Sequence, residues 1–173
     1  MTARPLDGAP VAIRLAMKME DALQAFAVRA ACFIGELGVP FAEEFDGHDY
    51  GATHVIAYLD DEPVGAVRMR WFQSFVMIER LAVLQRFRSR GVGMQLLAHC
   101  RILAEGRGCS MLYAQVLPPD TGYWEKRGWR RLASAVAGNA GSRQVVAMVK
   151  AVDPGKTVEE VEALKAIILY CEM

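Results

Sequence analysis

Residues 78–93 read Ile-Glu-Arg-Leu-Ala-Val-Leu-Gln-Arg-Phe-Arg-Ser-Arg-Gly-Val-Gly, and Met94-Gln95-Leu96-Leu97 then opens an apolar-periodic run. An apolar strand runs into a basic, glycine-containing turn and from there directly into a helix. A helix start carries backbone N–H groups with no intrahelical acceptor, so it is a ready site for an anion. Gly91 and Gly93 keep side chains out of the way where an anion would approach the backbone. Arg86, Arg88 and Arg90 bring three cations to the same turn. A diphosphate suits that arrangement. A tight strand–helix connection with solvated arginines is the plainer use of the same residues.

Bulk properties narrow the field. The chain has 173 residues, 53 % of them hydrophobic, enough for one domain with a full core. The formal net charge is +0, which argues against general binding of nucleic acid or of an acidic membrane surface. The cluster at 86–90 is therefore local and fits a small anionic ligand. The four cysteines (Cys32, Cys100, Cys109 and Cys171) have neither CxxC nor Cys/His metal spacing, so reduced thiols, no bound metal and a cytoplasmic location are expected. No apolar run reaches the roughly 18 residues of a membrane span. The first ten residues lack the apolar stretch of a secretory signal.

Periodicity along the chain predicts a strand at 11–15, a helix at 19–34, a polar acidic loop at 35–51, and a hairpin of strands 54–59 and 63–71 about Asp60-Asp61-Glu62. A continuously apolar strand follows at 75–83, interrupted only by Glu79 and Arg80, as a central strand would be. Then come a helix at 91–106, a strand at 111–116, a short helix at 121–126, and strands at 129–132 and 144–149 separated by a loop at 137–142. Thr157 and Glu160 form a capping box for a last helix, 158–170. The order β-α-β-β-β-α-β-α-β-β gives a mixed α/β domain with a largely antiparallel sheet.

That order, with Arg88-x-x-Gly91-x-Gly93 at the mouth of the central helix, resembles the GNAT N-acetyltransferase superfamily and its Q/R-x-x-G-x-G/A motif. Tyr123-Trp124-Glu125-Lys126-Arg127-Gly128-Trp129 is similar to the family's aromatic-Tyr-Glu-Lys-x-Gly-Phe signature. The resemblance covers roughly residues 11–150, so a GNAT domain is expected over 1–152 and an added amphipathic helix over 153–173. The stripe Val158, Val161, Leu164, Ile167 and Ile168 of that helix suits packing on its own domain or a homodimer contact. Gly155-Lys156-Thr157 lacks the upstream glycine of a phosphate loop and is set aside.

The resemblance implies a GNAT fold with splayed central strands, acetyl-CoA as cosubstrate, and direct attack by a small-molecule primary amine in a ternary complex. It implies that the backbone of Leu81, Ala82 and Val83 holds the pantetheine arm. Arg86, Arg88, Ser89, Arg90, Gly91, Val92, Gly93 and Met94 would surround the pyrophosphate. Arg29, Glu44-x-Asp46-x-x-Asp49 and a later Arg are also similar to acyl-homoserine-lactone synthases, in which the acidic set handles S-adenosylmethionine. An acyltransferase of that kind is the main alternative. A non-catalytic acyl-CoA-binding protein is the second.

The general acid departs from the family pattern. Counting back four residues from Gly128 gives Trp124, which cannot usefully protonate a thiolate. Tyr123 is one residue earlier, about 100° round a helix, and is the acid candidate. Glu79 is the base candidate, because a carboxylate in an apolar strand must be paired, exposed in a cleft or perturbed; a salt bridge to Arg80, Arg68 or Arg70, or exposure at the strand start, is the plainer use. His54 is a second candidate. Glu44, Asp46 and Arg70 are the expected acceptor-side residues. An ion-paired structural network through Arg29 and Arg70 is the alternative use of the acidic loop. Spacing gives no metal set there.

Overall fold

The computed structural model describes residues 10–73, 75–132, 138–140 and 143–153. They divide into two compact units. One is the chain up to Arg70 together with Ile78–Cys100, and the other is Trp71–Met77 together with the chain from Arg101.

In the first unit, β1 (Ala12–Leu15) pairs antiparallel with β2 (Thr53–Leu59), and β2 pairs antiparallel with β3 (Glu62–Trp71). β4 (Phe75–Val83) is the next strand after β3. The β2–β3 turn is Asp60-Asp61, both residues at positive φ, with Leu59 paired to Glu62. Two left-handed residues give the backbone twist that two strands of a hairpin need, and Asp tolerates that conformation. Val55 to Leu59 are all buried, which explains their unbroken apolar run.

α1 (Met19–Ala30) lays Ala25 and Val28 against Ile56, Tyr58, Ala66 and Ala82 of β2, β3 and β4. The expected 19–34 helix is longer and less regular than its periodicity suggests. After Ala30 it widens to a π-helical segment, Ala31–Glu36, that closes with the Leu37 amide on the Cys32 carbonyl. Gly38, at φ +64, ends it, and the Val39 amide bonds the Phe33 carbonyl. The expected acidic loop contains a single short helix, α2 (Phe41–Glu44), whose Glu44 is buried.

α3 (Val92–Gly106) starts one residue after the expected position. Successive strand residues point to opposite faces of a sheet. Ala66 meets α1, while the Cβ position of Gly65 meets Val92 and Leu96 of α3. The two helices therefore cover opposite faces of the first unit's strands.

In the second unit, β5 (Met111–Val116) pairs antiparallel with β8 (Arg143–Ala151), and β8 also pairs with β6 (Arg130–Arg131). α4 (Thr121–Glu125) lies between β5 and β6 in the chain. Phe75, Met77, Met111, Tyr113, Leu132, Ala147 and Val149 form the core here. The loop expected at 137–142 contains a short strand, β7 (Gly138–Ala140), paired to β8. The expected last helix lies outside the described residues. The whole is a mixed α/β fold with mainly antiparallel strands, as its element order predicts.

Candidate active site

The turn between β4 and α3 is built from special backbone conformations. After a single 3-10 turn at Gln85–Phe87, Ser89 and Gly91 both take positive φ, +64 and +78. A side chain at Gly91 would meet nothing within 4 Å, so the glycine is there for its conformation and the space beside it is open. The chain then enters α3 at Val92, where the first-turn amides of Val92, Gly93 and Met94 have no intrahelical acceptor.

The three arginines of this turn have different partners. Arg86 pairs with Glu62 and stacks on the buried Phe87 ring. Arg88 folds back: its Nε donates to the Val83 carbonyl at 2.9 Å and an Nη to Glu36 at 2.5 Å, close to the Cys32 sulfur. It ties the end of β4 to the π-helical segment. Arg90 lies over the Phe87 ring and has no acidic partner among the described residues.

Upstream on β4, Arg80 also takes a left-handed conformation, φ +52. Such a backbone in mid-strand costs of order 1–3 kcal/mol and is kept only where surrounding structure enforces it. Arg80 is enforced by its contacts. Its Nη donates to the Glu43 carbonyl at 2.5 Å, and it pairs with Glu44 at 3.0 Å and Asp46 at 3.2 Å. Exposure rises where the strand turns: residues 75–78 are buried, and 79–81 are half-buried.

Around Arg80 the acidic loop and the arginines of α1 and β3 form one network. Arg29, wholly buried, donates to Glu44 at 2.7 Å and to Asp49 at 2.6 Å. Arg68, also wholly buried, forks onto Asp46 with two bonds of 2.7 Å. It also reaches Asp49 at 3.2 Å and Glu79 at 3.0 Å. Arg70 meets Glu79 at 3.4 Å. Four guanidinium groups thus face four carboxylates, so the loop's negative charge is compensated.

The groups titrate accordingly. Burial alone would raise the Asp46 carboxyl. The Arg68 fork, the His48 amide and the charges of Arg68 and Arg80 outweigh it and hold Asp46 well below the usual carboxylate range. Asp49 is likewise lowered, its burial outweighed by Arg29 and Arg68. In Glu44 burial wins over Arg29, Arg80 and Arg68, and the carboxyl is pushed up. One reason is geometric: its Oε2 is buried without a well-aligned hydrogen bond although Arg80 Nε is 3.0 Å away.

The expected site residues fall into distinct places. Glu79 lies two residues before Leu81 on β4, its side chain 12 % exposed between Arg68 and Arg70. Asp46 and Arg70 stand at the partly open edge of the network, at 25 % and 20 % side-chain exposure. Glu44 has no exposed side chain, so its direct contacts are the arginines it holds. His54 is buried, its Nε2 3.2 Å from the Asp49 carbonyl and its ring edge-on to Phe26. The Arg68–Glu79 pair is among the sequence expectations, but the contacts of Arg68 and Arg80 with the acidic loop are not. A long cation inside an apolar strand was the available signal.

In the second unit, Trp124 is buried edge-on against Trp129 at 4.7 Å. Tyr123 is 38 % exposed, with the Arg127 guanidinium 3.5 Å from its ring centre. One residue's offset round α4 thus sends the tryptophan to the core and leaves the tyrosine at the surface. Cys32, Cys100 and Cys109 are free and buried, and burial pushes the Cys100 thiol up to about 12, which suits packing rather than attack. Among the described residues no group of His, Cys, Asp and Glu could hold a metal, and no helix is long and apolar enough to cross a membrane.

A mixed, mainly antiparallel sheet whose β4 becomes more exposed at Glu79–Leu81 and leads into the start of α3 is the architecture of the GNAT type. Residues 22–129 match the acetyltransferase (GNAT) family, and the chain belongs to it: it is an acyl-transferring enzyme of that family. It is 31 % identical over 119 residues to the uncharacterized N-acetyltransferase YjcF of Bacillus subtilis, covering 69 % of this chain and 85 % of the relative. Among solved structures it is similar to a candidate N-acetyltransferase from Lactobacillus plantarum, with a TM-score of 0.75 at 23 % identity, over 83 % of this chain and 99 % of that one. An aminoglycoside 6'-N-acetyltransferase complexed with coenzyme A shares the fold, with a TM-score of 0.68 at 14 % identity over 84 % of this chain and 99 % of that one.

Proposed function

We propose that this enzyme moves an acetyl group from acetyl-CoA to a primary amine by direct attack in a ternary complex. The observation that carries the reading is the β4–α3 turn. Its left-handed Gly91 opens space beside free helix amides and Arg90, which has no acidic partner among the described residues, just beyond the strand that bears Glu79. Coenzyme A in the aminoglycoside acetyltransferase complex supports the choice of carrier. Acetyl-CoA would supply the activated thioester.

The chain's own groups have the following parts. The backbone of Leu81, Ala82 and Val83 aligns the pantetheine arm. The amides of Val92, Gly93 and Met94, with the Ser89–Gly91 backbone and Arg90, hold the pyrophosphate. Arg86 and Arg88 brace the turn through Glu62 and Glu36. Glu79 accepts a proton from the incoming ammonium, directly or through one water. Asp46 and Arg70 face the acceptor, and Glu44 keeps Arg29 and Arg80 in place behind them. Tyr123 is the candidate donor to the departing thiolate.

The test is thiol release from acetyl-CoA against a panel of primary amines, with mass analysis of the product. A long-chain acyl-CoA and S-adenosylmethionine run in parallel. Amine-dependent release and a product heavier by one acetyl group are expected. Turnover of the long chain on S-adenosylmethionine alone would support the lactone-synthase-like alternative. Binding of acetyl-CoA without turnover on any amine would make the protein a sensor.

A further inference from the structure

We infer that Gly65 is a positioning residue for the coenzyme A site, acting by keeping the space into which the first turn of α3 settles. The inference rests on the placement of the pyrophosphate at that turn. Gly65 lies within β3, paired to Ala57 of β2, and its backbone is not in the left-handed region that calls for glycine. A glycine in a strand interior weakens the strand, so its presence needs another reason. The surroundings give one. A Cβ built on Gly65 would lie 3.0 Å from Val92 Cγ1, 3.1 Å from Leu96 Cδ1 and 3.3 Å from the Ala82 carbonyl oxygen.

Those three neighbours are not arbitrary. Val92 is the first residue of α3 and one of the amides proposed to meet phosphate. Leu96 is one turn further along the same helix. Ala82 belongs to the stretch of β4 proposed to align the pantetheine arm. All of them are buried, so none can swing into solvent to make room. At 3.0–3.3 Å a methyl group makes these neighbours give by a few tenths of an ångström, and packed interiors transmit such shifts. The easiest part to displace is the helix start, whose amides are not tied by intrahelical bonds. The bare Cα of Gly65 therefore sets how closely the anion-binding end of α3 sits over β3 and β4.

The experiment titrates CoA and acetyl-CoA calorimetrically into wild type, Gly65→Ala, Val92→Ala, the double variant, and Gly91→Val, with urea unfolding of each. Gly65→Ala is expected to weaken CoA binding by on the order of tenfold, since small misplacements of positioned groups carry costs of that size. Val92→Ala removes the Cγ1 that the new methyl would strike. The double variant should therefore bind within about threefold of Val92→Ala, a non-additivity that general destabilisation does not produce. Unchanged CoA affinity in Gly65→Ala, with Gly91→Val impaired, would overturn the role of Gly65 and leave the site standing. So would additive losses in the double variant. No CoA binding by the wild type would remove the site and the inference together. If Gly65→Ala does not fold, the same comparison is made with Gly65→Ala in the Val92→Ala background against Val92→Ala alone, and a loss of CoA affinity there beyond threefold overturns the proposal.

Discussion

Arg68 and Asp46 meet fork to fork, Nη1 to Oδ1 and Nη2 to Oδ2, each at 2.7 Å, although 22 residues of chain separate them. The guanidinium is fully buried and touches two further carboxylates, Asp49 and Glu79. Their charges raise the Arg68 pKa against the effect of burial. Removing one member of a buried charged set leaves the others uncompensated, typically at about 3–5 kcal/mol. Arg68→Ala should therefore lose stability in that range in urea unfolding. Arg68→Lys should recover only a minor part, because an ammonium cannot reproduce the planar fork. A lysine variant as stable as the wild type would show that the point charge alone holds the loop.

The arginines of the β4–α3 turn lead to a second expectation. Arg88 is engaged by the Val83 carbonyl and Glu36, whereas Arg90 lies over the Phe87 ring with no acidic partner among the described residues. Arg90→Ala should weaken CoA binding by roughly three- to tenfold, as for loss of one charge-assisted contact, and reduce its salt dependence. Arg88→Ala should cost less affinity. Because the Arg88–Glu36 pair is nearly half exposed on the arginine side, it should change stability by less than about 1 kcal/mol. Calorimetric titration of both variants at two salt concentrations checks this, and equal losses would return Arg88 to the phosphate.

These contrasts mark what the sequence could convey. The β4 strand, the turn and α3 were legible because apolar periodicity, two glycines and a helix start are local signals. The α4 offset was legible as a count, and burial of Trp124 with exposure of Tyr123 agrees with it. The partners of Glu44, Asp46 and Asp49 were only half legible. Arg29 lies one acidic loop away in sequence and was named. Arg68 and Arg80 reach the loop through strand pairing and a left-handed backbone, which no spacing rule encodes. Arg70, offered both to the loop and to Glu79, meets Glu79. The π-helical widening after Ala30 leaves apolar spacing intact and so left no trace in the periodicity.

Glu79 provides a third expectation. It sits between Arg68 and Arg70 on the strand that leads to Leu81. If it takes the proton from the amine, Glu79→Gln should lower kcat/KM by about a hundredfold at neutral pH while CoA affinity stays within a factor of about two. The loss should shrink as pH rises and more of the amine arrives neutral. A loss that is constant across pH would assign Glu79 to holding the arginines.

His54 carries a pH dependence with a definite sign. Its Nε2–H donates to the Asp49 carbonyl, and its Nδ1 is buried with no hydrogen-bond partner among the described residues. Burial, helped by the charges of Arg29 and Arg68, lowers its pKa from the ordinary 6.5, against the pull of Asp49. The unfolded ring therefore takes up a proton before the folded one does. Between the folded pKa and 6.5 the unfolded state binds more protons, so stability is full above that window and falls as pH drops through it. Asp46 and Asp49, with lowered pKa values, add a further loss below about pH 4, where unfolded carboxyls protonate first. Glu44 acts in the opposite sense, since its raised pKa favours the folded state as it protonates. His54→Gln keeps an N–H donor and cannot titrate. Its urea midpoint should change less between pH 7 and pH 5 than that of the wild type. Parallel pH curves would place the acid sensitivity in groups other than His54.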